Sequence, residues 1–192
     1  MQYELVALIA MLTSVIGTPG PNNIVLFASG LGRGYRRTLP LLLAINAGVT
    51  GIVFAAYLGA SYLSKWIPVI EEYLVWVAFT FLIYMAYSMW PKNETVATEK
   101  RDEVTLPALN MFFFQVFNPK IWVIALGVIS TFHATVDLLT ICIVTLIVGI
   151  VLNSLWVIMG GIANSISDTS ERNISKTGSL LMLLTAVYFF VY

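Results

Sequence analysis

The chain has 192 residues, 59% hydrophobic and 10% charged, with zero net charge and a mean hydropathy of +0.88. A soluble domain carries roughly 25% charged residues, so most of this protein faces lipid. With no long basic stretch there is no case for a nucleic-acid partner, and one cysteine (Cys142) with one histidine (His133) leaves no disulfide, CxxC pair or HExxH zinc centre.

Charge-free runs mark the predicted spans. The first, residues 5–32, is long enough to cross a bilayer as a helix. It has no Lys or Arg ahead of it, carries Glu4, and outruns the short apolar core of a cleavable signal, so it is expected to remain as a span. Inside it stands GTPGPNNIVLF, Gly17 to Phe27, with two prolines, a glycine and two asparagines where no water can satisfy the backbone.

The second run, 38–64, places Ala44, Gly48, Gly51, Ala55 and Gly59 on one stripe, a pattern for close helix packing. The third is 73–91, and Trp66 and Trp90 sit at span ends, where an indole prefers the headgroup layer. PKNETVATEKRDEVTLP, 91–107, reads as a polar linker. The fourth span joins 104–119 to 121–136 across Lys120, the fifth is 138–167, and the sixth is 177–192, starting nearer Ile174 with Lys176 snorkelling outward.

The expected fold is therefore an all-α integral membrane protein of six transmembrane helices. Residues 1–90 form one three-helix repeat, 91–107 the linker and 108–192 a second repeat. Three helices per half means that the halves run in opposite senses. Eight of the ten Lys and Arg residues fall in the loops after helices 1, 3 and 5, against Lys65 alone on the other side. That bias predicts those loops to be cytoplasmic and both termini outside.

The proline anomaly occurs twice. Helix 4 reads MFFFQVFNPKIWVIALGVI, and Pro119 follows Pro21 by 98 residues, close to half the chain. Interrupted segments at matching positions of two inverted halves point to a transport site. Thr18-Pro19 and Asn118-Pro119 each read as a helix N-cap followed by proline at the first helical position. Each would start a half-helix inside the membrane, with free N–H groups and a partial positive charge aimed at the midplane. Two such ends suit a carboxylate.

Lys120 sharpens the reading, because a cation in the first turn and at bilayer depth is disfavoured until an anion binds. Thr18, Pro19, Gly20, Pro21, Pro119 and Lys120 are the candidate carboxylate-binding segment. Asn22, Asn23, Asn46, Gln115, Asn118 and Asn153 are candidates to hydrogen-bond an ammonium or a polar side chain. The competing structural readings are that the prolines only kink helices and that Lys120 only serves carbonyls freed near Gln115. His133 and Asp137 read as external-loop residues, and Tyr57, Tyr62 and Tyr84 as interfacial or packing aromatics.

TPGPNN in helix 1, GYRR leading into helix 2, Gly48, and FNPK in helix 4 resemble the lysine exporter (LysE/RhtB) family of bacterial amino-acid effluxers, over the whole chain. TPGPNNI and QVFNPKI look closest to its cysteine/O-acetylserine exporter subgroup. Ala44 departs from a position where the family often has glycine, and apart from Lys120 the spans lack strong acids and bases, which fits neutral substrates better than lysine or arginine. The resemblance implies export of small neutral or polar amino acids, of the cysteine, O-acetylserine, threonine or homoserine type. It further implies the inner membrane and coupling to the proton gradient. No Asp or Glu lies at mid-depth, so Lys120 is the titratable candidate for that coupling.

The expected partners are a small amino acid and the lipid bilayer, with a homodimer left open, no nucleic acid, no metal and no cofactor. Two rivals remain at this point. Export of a divalent cation wants carboxylate or histidine ligands within spans, and none is visible at mid-depth, while export of another small metabolite by the same fold stays open. An intramembrane hydrolase would need Ser61 and His133 to form a dyad, with an oxyanion hole beside them.

Overall fold

A computed structural model describes residues 2–59 and 108–166, together with single helical positions at 76, 80, 83, 87, 180, 183, 184 and 187. The described residues are helical and contain no strand: α1 (Gln2–Gly17), α2 (Pro21–Leu58), α3 (Ala108–Phe114), a 3-10 turn (Gln115–Phe117), α4 (Pro119–Phe132) and α5 (Leu138–Ile166). The predicted linker 91–107, and most of the predicted third and sixth spans, lie outside the described residues.

In α1 the buried side chains Leu8, Leu12 and Ile16 recur every four residues, so one stripe of the helix packs inward against α4 and α5. Glu4 in its first turn complements the helix dipole. At 16 residues α1 is shorter than the ~20 needed to cross a bilayer alone.

Helix α2 has 38 residues but is not one rod. Gly34 has φ 74° and ψ 172°, a left-handed backbone that only glycine adopts without strain. The hydroxyls of Ser29 and Thr38 stand 2.9 Å apart, although nine residues of straight helix would separate them by about 13 Å. Asn22 and Gly48 likewise both meet Gln115, although a straight helix would hold them about 39 Å apart. The two limbs of α2 therefore fold back on each other at Gly34.

Local hydroxyl bonds hold this corner. Thr38 Oγ1 donates to the Gly34 carbonyl at 2.9 Å, and Arg33 Nη2 donates to Ser29 Oγ at 2.8 Å. The sequence reading expects a loop around Arg33, Arg36 and Arg37, but a single glycine suffices. The first limb completes the charge-free run that α1 begins, and the second limb covers most of the next run.

Among the described residues, two helices contain a stretch long and apolar enough to cross a membrane, one within α2 (Pro21–Leu58) and one at Leu138–Ala163, and Ala108–Phe117 with Lys120–Phe132 adds a third if this pair, bent by 63°, is one span. Asp137 starts α5, accepting from the Thr140 N–H at 2.9 Å and from its hydroxyl at 2.7 Å. Leu139, Ile147, Val151 and Leu155 leave one side of α5 exposed and apolar, as a lipid-facing helix requires.

The other side of α5 packs tightly on α2. A Cβ at Gly30 would collide with the Val157 carbonyl, and one at Gly160 with the Phe27 carbonyl. Small residues thus let the two backbones touch. The predicted small-residue stripe of the second span is corrected in part. Gly48 is buried against Gln115 and the Phe112 carbonyl, whereas Gly51 and Ala55 are exposed.

Candidate functional site

Both proline motifs interrupt helices, but by different chemistry. In the first, α1 ends at Gly17 and α2 begins at Pro21, with Gly20 in extended conformation as the N-cap and no side-chain cap. This corrects the assignment of Thr18-Pro19 as cap and first helical residue. The Thr18 hydroxyl turns back to the Val15 carbonyl at 2.7 Å and so closes α1 rather than opening α2. Pro21 takes the first helical position, where its missing N–H costs nothing.

The second break follows the expected pattern. Asn118 is the N-cap of α4, and its Oδ1 accepts from the Lys120 N–H at 3.2 Å, with Pro119 in the first turn. Carbonyls freed by the 3-10 turn find local donors. Asn118 N–H donates to Gln115 O at 3.1 Å, and Trp122 Nε1 donates to Val116 O at 2.8 Å. Lys120 is therefore not needed there.

The Lys120 ammonium instead donates to the carbonyl of Thr18, 102 residues earlier in the chain. A carbonyl released at the end of α1 is thus held by the cation at the start of α4. Asn23 supports the same end from within, its Nδ2 donating to Ile16 O at 3.1 Å and Thr18 O at 3.2 Å. Gly20 lies close to the lysine, and a Cβ there would stand 3.2 Å from Lys120 Nζ.

A second strap joins the breaks. Asn22 Nδ2 donates to Gln115 Oε1 at 2.7 Å, Gln115 Nε2 returns to Asn22 Oδ1 at 3.2 Å, and Gln115 Nε2 also donates to Met111 O at 2.8 Å. Both amides are buried. The two interruptions, far apart in sequence, thus form one polar centre inside an apolar helical bundle.

Asn22, Asn23, Asn46, Lys120 and Asn153 line one cavity with Ile16, Val49, Ile121 and Ile124, and its volume of ≈ 20 Å³ is room for about one water molecule. Any larger ligand requires the walls to part. Of the remaining sequence candidates, which are not part of the cavity lining, Gln115 and Asn118 are fully buried, Gly20 and Pro21 are buried, and Thr18 and Pro19 are exposed. Asn118 Nδ2 and Asn153 Oδ1 are buried and have no hydrogen-bond partner among the described residues.

Sequence reasoning missed the four apolar wall residues, because it searched for polar groups. Their signal was position: Val49 lies one turn beyond Asn46, Ile121 and Ile124 follow Lys120, and Ile16 precedes the first break. His133 stacks on Tyr57 with ring centroids 4.5 Å apart, while Ser61 lies outside the described residues.

The sequence matches the family described as LysE type translocator over residues 13–192. It is 24% identical over 178 residues to a cysteine/O-acetylserine efflux protein of Salmonella paratyphi A, covering 90% of each chain. It is also 24% identical over 184 residues to the Escherichia coli K12 protein of the same description, again over 90% of each chain. No solved structure matches it. A match that takes in both broken helices and nearly every residue makes this membrane protein a member of the LysE family of translocators.

Proposed function

We propose that the protein exports small neutral or polar amino acids, of the cysteine, O-acetylserine, threonine or homoserine type, across the inner membrane of a bacterium. The observation that carries this reading is the Lys120 ammonium, lodged between two broken helices in a cavity walled by asparagine amides. An α-amino acid presents a carboxylate and an ammonium on one carbon. Such a cavity offers a cation for the first and amide oxygens for the second. The names borne by the relatives support the substrate class.

In this reading the substrate carboxylate takes the place of the Thr18 carbonyl at Lys120, joined by the N–H groups of the first turn of α2. Binding then exchanges a strap between the two breaks for a bond to substrate. The conformers with and without the strap thus differ in substrate affinity, which is what a ligand needs to shift a conformational equilibrium. A zwitterion carries no net charge, so the membrane potential cannot drive it without a coupled ion. We assign the coupling to a proton and its carriage to Lys120. The six spans are read as two inverted repeats, 1–90 and 108–192, joined by a cytoplasmic linker, with both termini outside.

Efflux of labelled cysteine, O-acetylserine, threonine and homoserine from vesicles, with and without a proton gradient, tests the reading. At least one should leave faster than from protein-free vesicles, and a protonophore should slow it. Failure of all four to move overturns the proposal, and export untouched by the protonophore removes the coupling.

A further inference from the structure

A chain of amides runs from the backbone of α2 to the cavity, and it has a direction. Asn46 Nδ2 donates to the Leu42 carbonyl at 2.7 Å, and Asn153 Nδ2 donates to Asn46 Oδ1 at 3.0 Å. Asn153 Oδ1 then has no partner among the described residues. The direction is imposed by chemistry. A backbone carbonyl only accepts, so the end of Asn46 that meets Leu42 must be its NH2 group. The Asn46 oxygen therefore faces Asn153, and Asn153 must answer with its own NH2 group. What remains is an oxygen.

Asn153 is 3% exposed and lines the same cavity as Lys120. Among the polar side chains of that cavity, Asn22 Oδ1 already receives Gln115 Nε2, and Asn46 Oδ1 receives Asn153. Asn153 Oδ1 is the fully enclosed acceptor of that cavity that has no donor among the described residues. A buried acceptor without a donor is costly, so the site is built for a ligand that brings one. Gly149 leaves room for the Asn46 oxygen, since a Cβ there would collide with Asn46 Oδ1.

We propose that Asn153 Oδ1 receives the α-ammonium of the transported amino acid, with Asn46 as the residue that positions it. The proposal rests on the export reading above and assigns one pole of the substrate within it. Lys120 takes the carboxylate, and the ammonium attached to the same carbon needs an acceptor in the same cavity. A charged donor also makes a bond about twice as strong as a neutral hydroxyl or thiol would, which favours the ammonium over the side chain.

The test compares each amino acid with the same skeleton lacking its amino group. In proteoliposomes holding the full chain, cysteine and 3-mercaptopropionate, or homoserine and 4-hydroxybutanoate, compete against efflux of the labelled amino acid. The wild type should prefer the amino acid by about tenfold or more, the scale of one hydrogen bond to a charged group. Asn153→Leu should bring that ratio close to one while leaving competition by the deamino acid intact, and Asn153→Asp should keep it. Asn46→Leu, which lets Asn153 rotate, should lower the ratio, and Asn46→Asp, which as the neutral acid donates to the Leu42 carbonyl and still accepts from Asn153, should restore it.

A ratio unchanged in Asn153→Leu overturns the proposal and leaves the export reading standing. If that variant does not accumulate, equal ratios in Asn46→Leu and Asn46→Asp overturn it. A wild type that moves none of the amino acids removes the export reading and this inference together.

Discussion

Asn22 and Gln115, 93 residues apart, exchange two side-chain hydrogen bonds of 2.7 and 3.2 Å at the point where both broken helices meet. A reciprocal amide pair is satisfied only when both partners are present, so it ties the start of α2 to the 3-10 turn before α4. Replacing either one with leucine should destabilise the purified protein, and replacing both should cost less than the sum. Cycles within membrane bundles average ~0.6 kcal/mol with a maximum near 1.7, and the coupling should fall in that range. Thermal unfolding of the two single variants and the double variant measures it, and strict additivity would show that the pair does not act as a unit.

Lys120→Met should lower export about tenfold or more, because it removes a cation that touches both interruptions. Lys120→Arg keeps the charge but presents a wider, planar head to the Thr18 carbonyl, and should recover only part of the rate. Full proton-dependent efflux by Lys120→Met would sink the assignment of this residue.

Gly20→Ala separates function from folding. The backbone at Gly20 is extended, with φ −171°, so alanine introduces no strain, but its Cβ would lie 3.0 Å from Lys120 Cδ. A flexible lysine can move aside, and in doing so it leaves the Thr18 carbonyl. Efflux should fall while the melting temperature changes little.

Glycines that look alike in the sequence should behave differently. Gly30→Ala and Gly160→Ala drive a Cβ into the carbonyls of Val157 and Phe27, and a backbone cannot rotate away. Each should cost about 1–3 kcal/mol in unfolding experiments, as overpacking does. Gly51→Ala meets nothing within 4 Å and should be neutral or slightly stabilising, since alanine is the better helix former.

Asp137 gives the entrance of α5 a pH dependence. Bonds from the Thr140 hydroxyl and N–H hold its carboxyl below the usual value of 3.8. A depressed folded-state value means that the cap contributes fully above pH ~3.8 and is lost as pH falls through the lower folded value. Protection of the Thr140 amide, relative to its unprotected exchange rate at the same pH, should therefore fall in acid below that point. Asp137→Ala should show that lower protection at every pH.

Much of this protein was legible in the residues alone. Charge-free runs mark the apolar helices, because lipid admits no unpaired backbone and few charges. Asn118-Pro119 declares a helix start, because capping is local chemistry between a side chain and the next two N–H groups. Family membership follows from motifs at the two breaks. Where local signals competed, the sequence misled: Thr18 has the composition of an N-cap, yet its hydroxyl closes the preceding helix, and the start passes to Pro21.

Tertiary structure decided which partner each polar group takes. That Lys120 reaches Thr18 rather than the carbonyls beside Gln115, that Asn22 closes on Gln115, and that Gly48 but not Gly51 packs tightly are all long-range outcomes. None has a sequence period. The direction of the Leu42–Asn46–Asn153 relay is of the same kind, since an asparagine's two ends are interchangeable until a fixed backbone carbonyl chooses between them. Composition and spacing act over a few residues, whereas hydrogen-bond polarity is set only when distant segments meet.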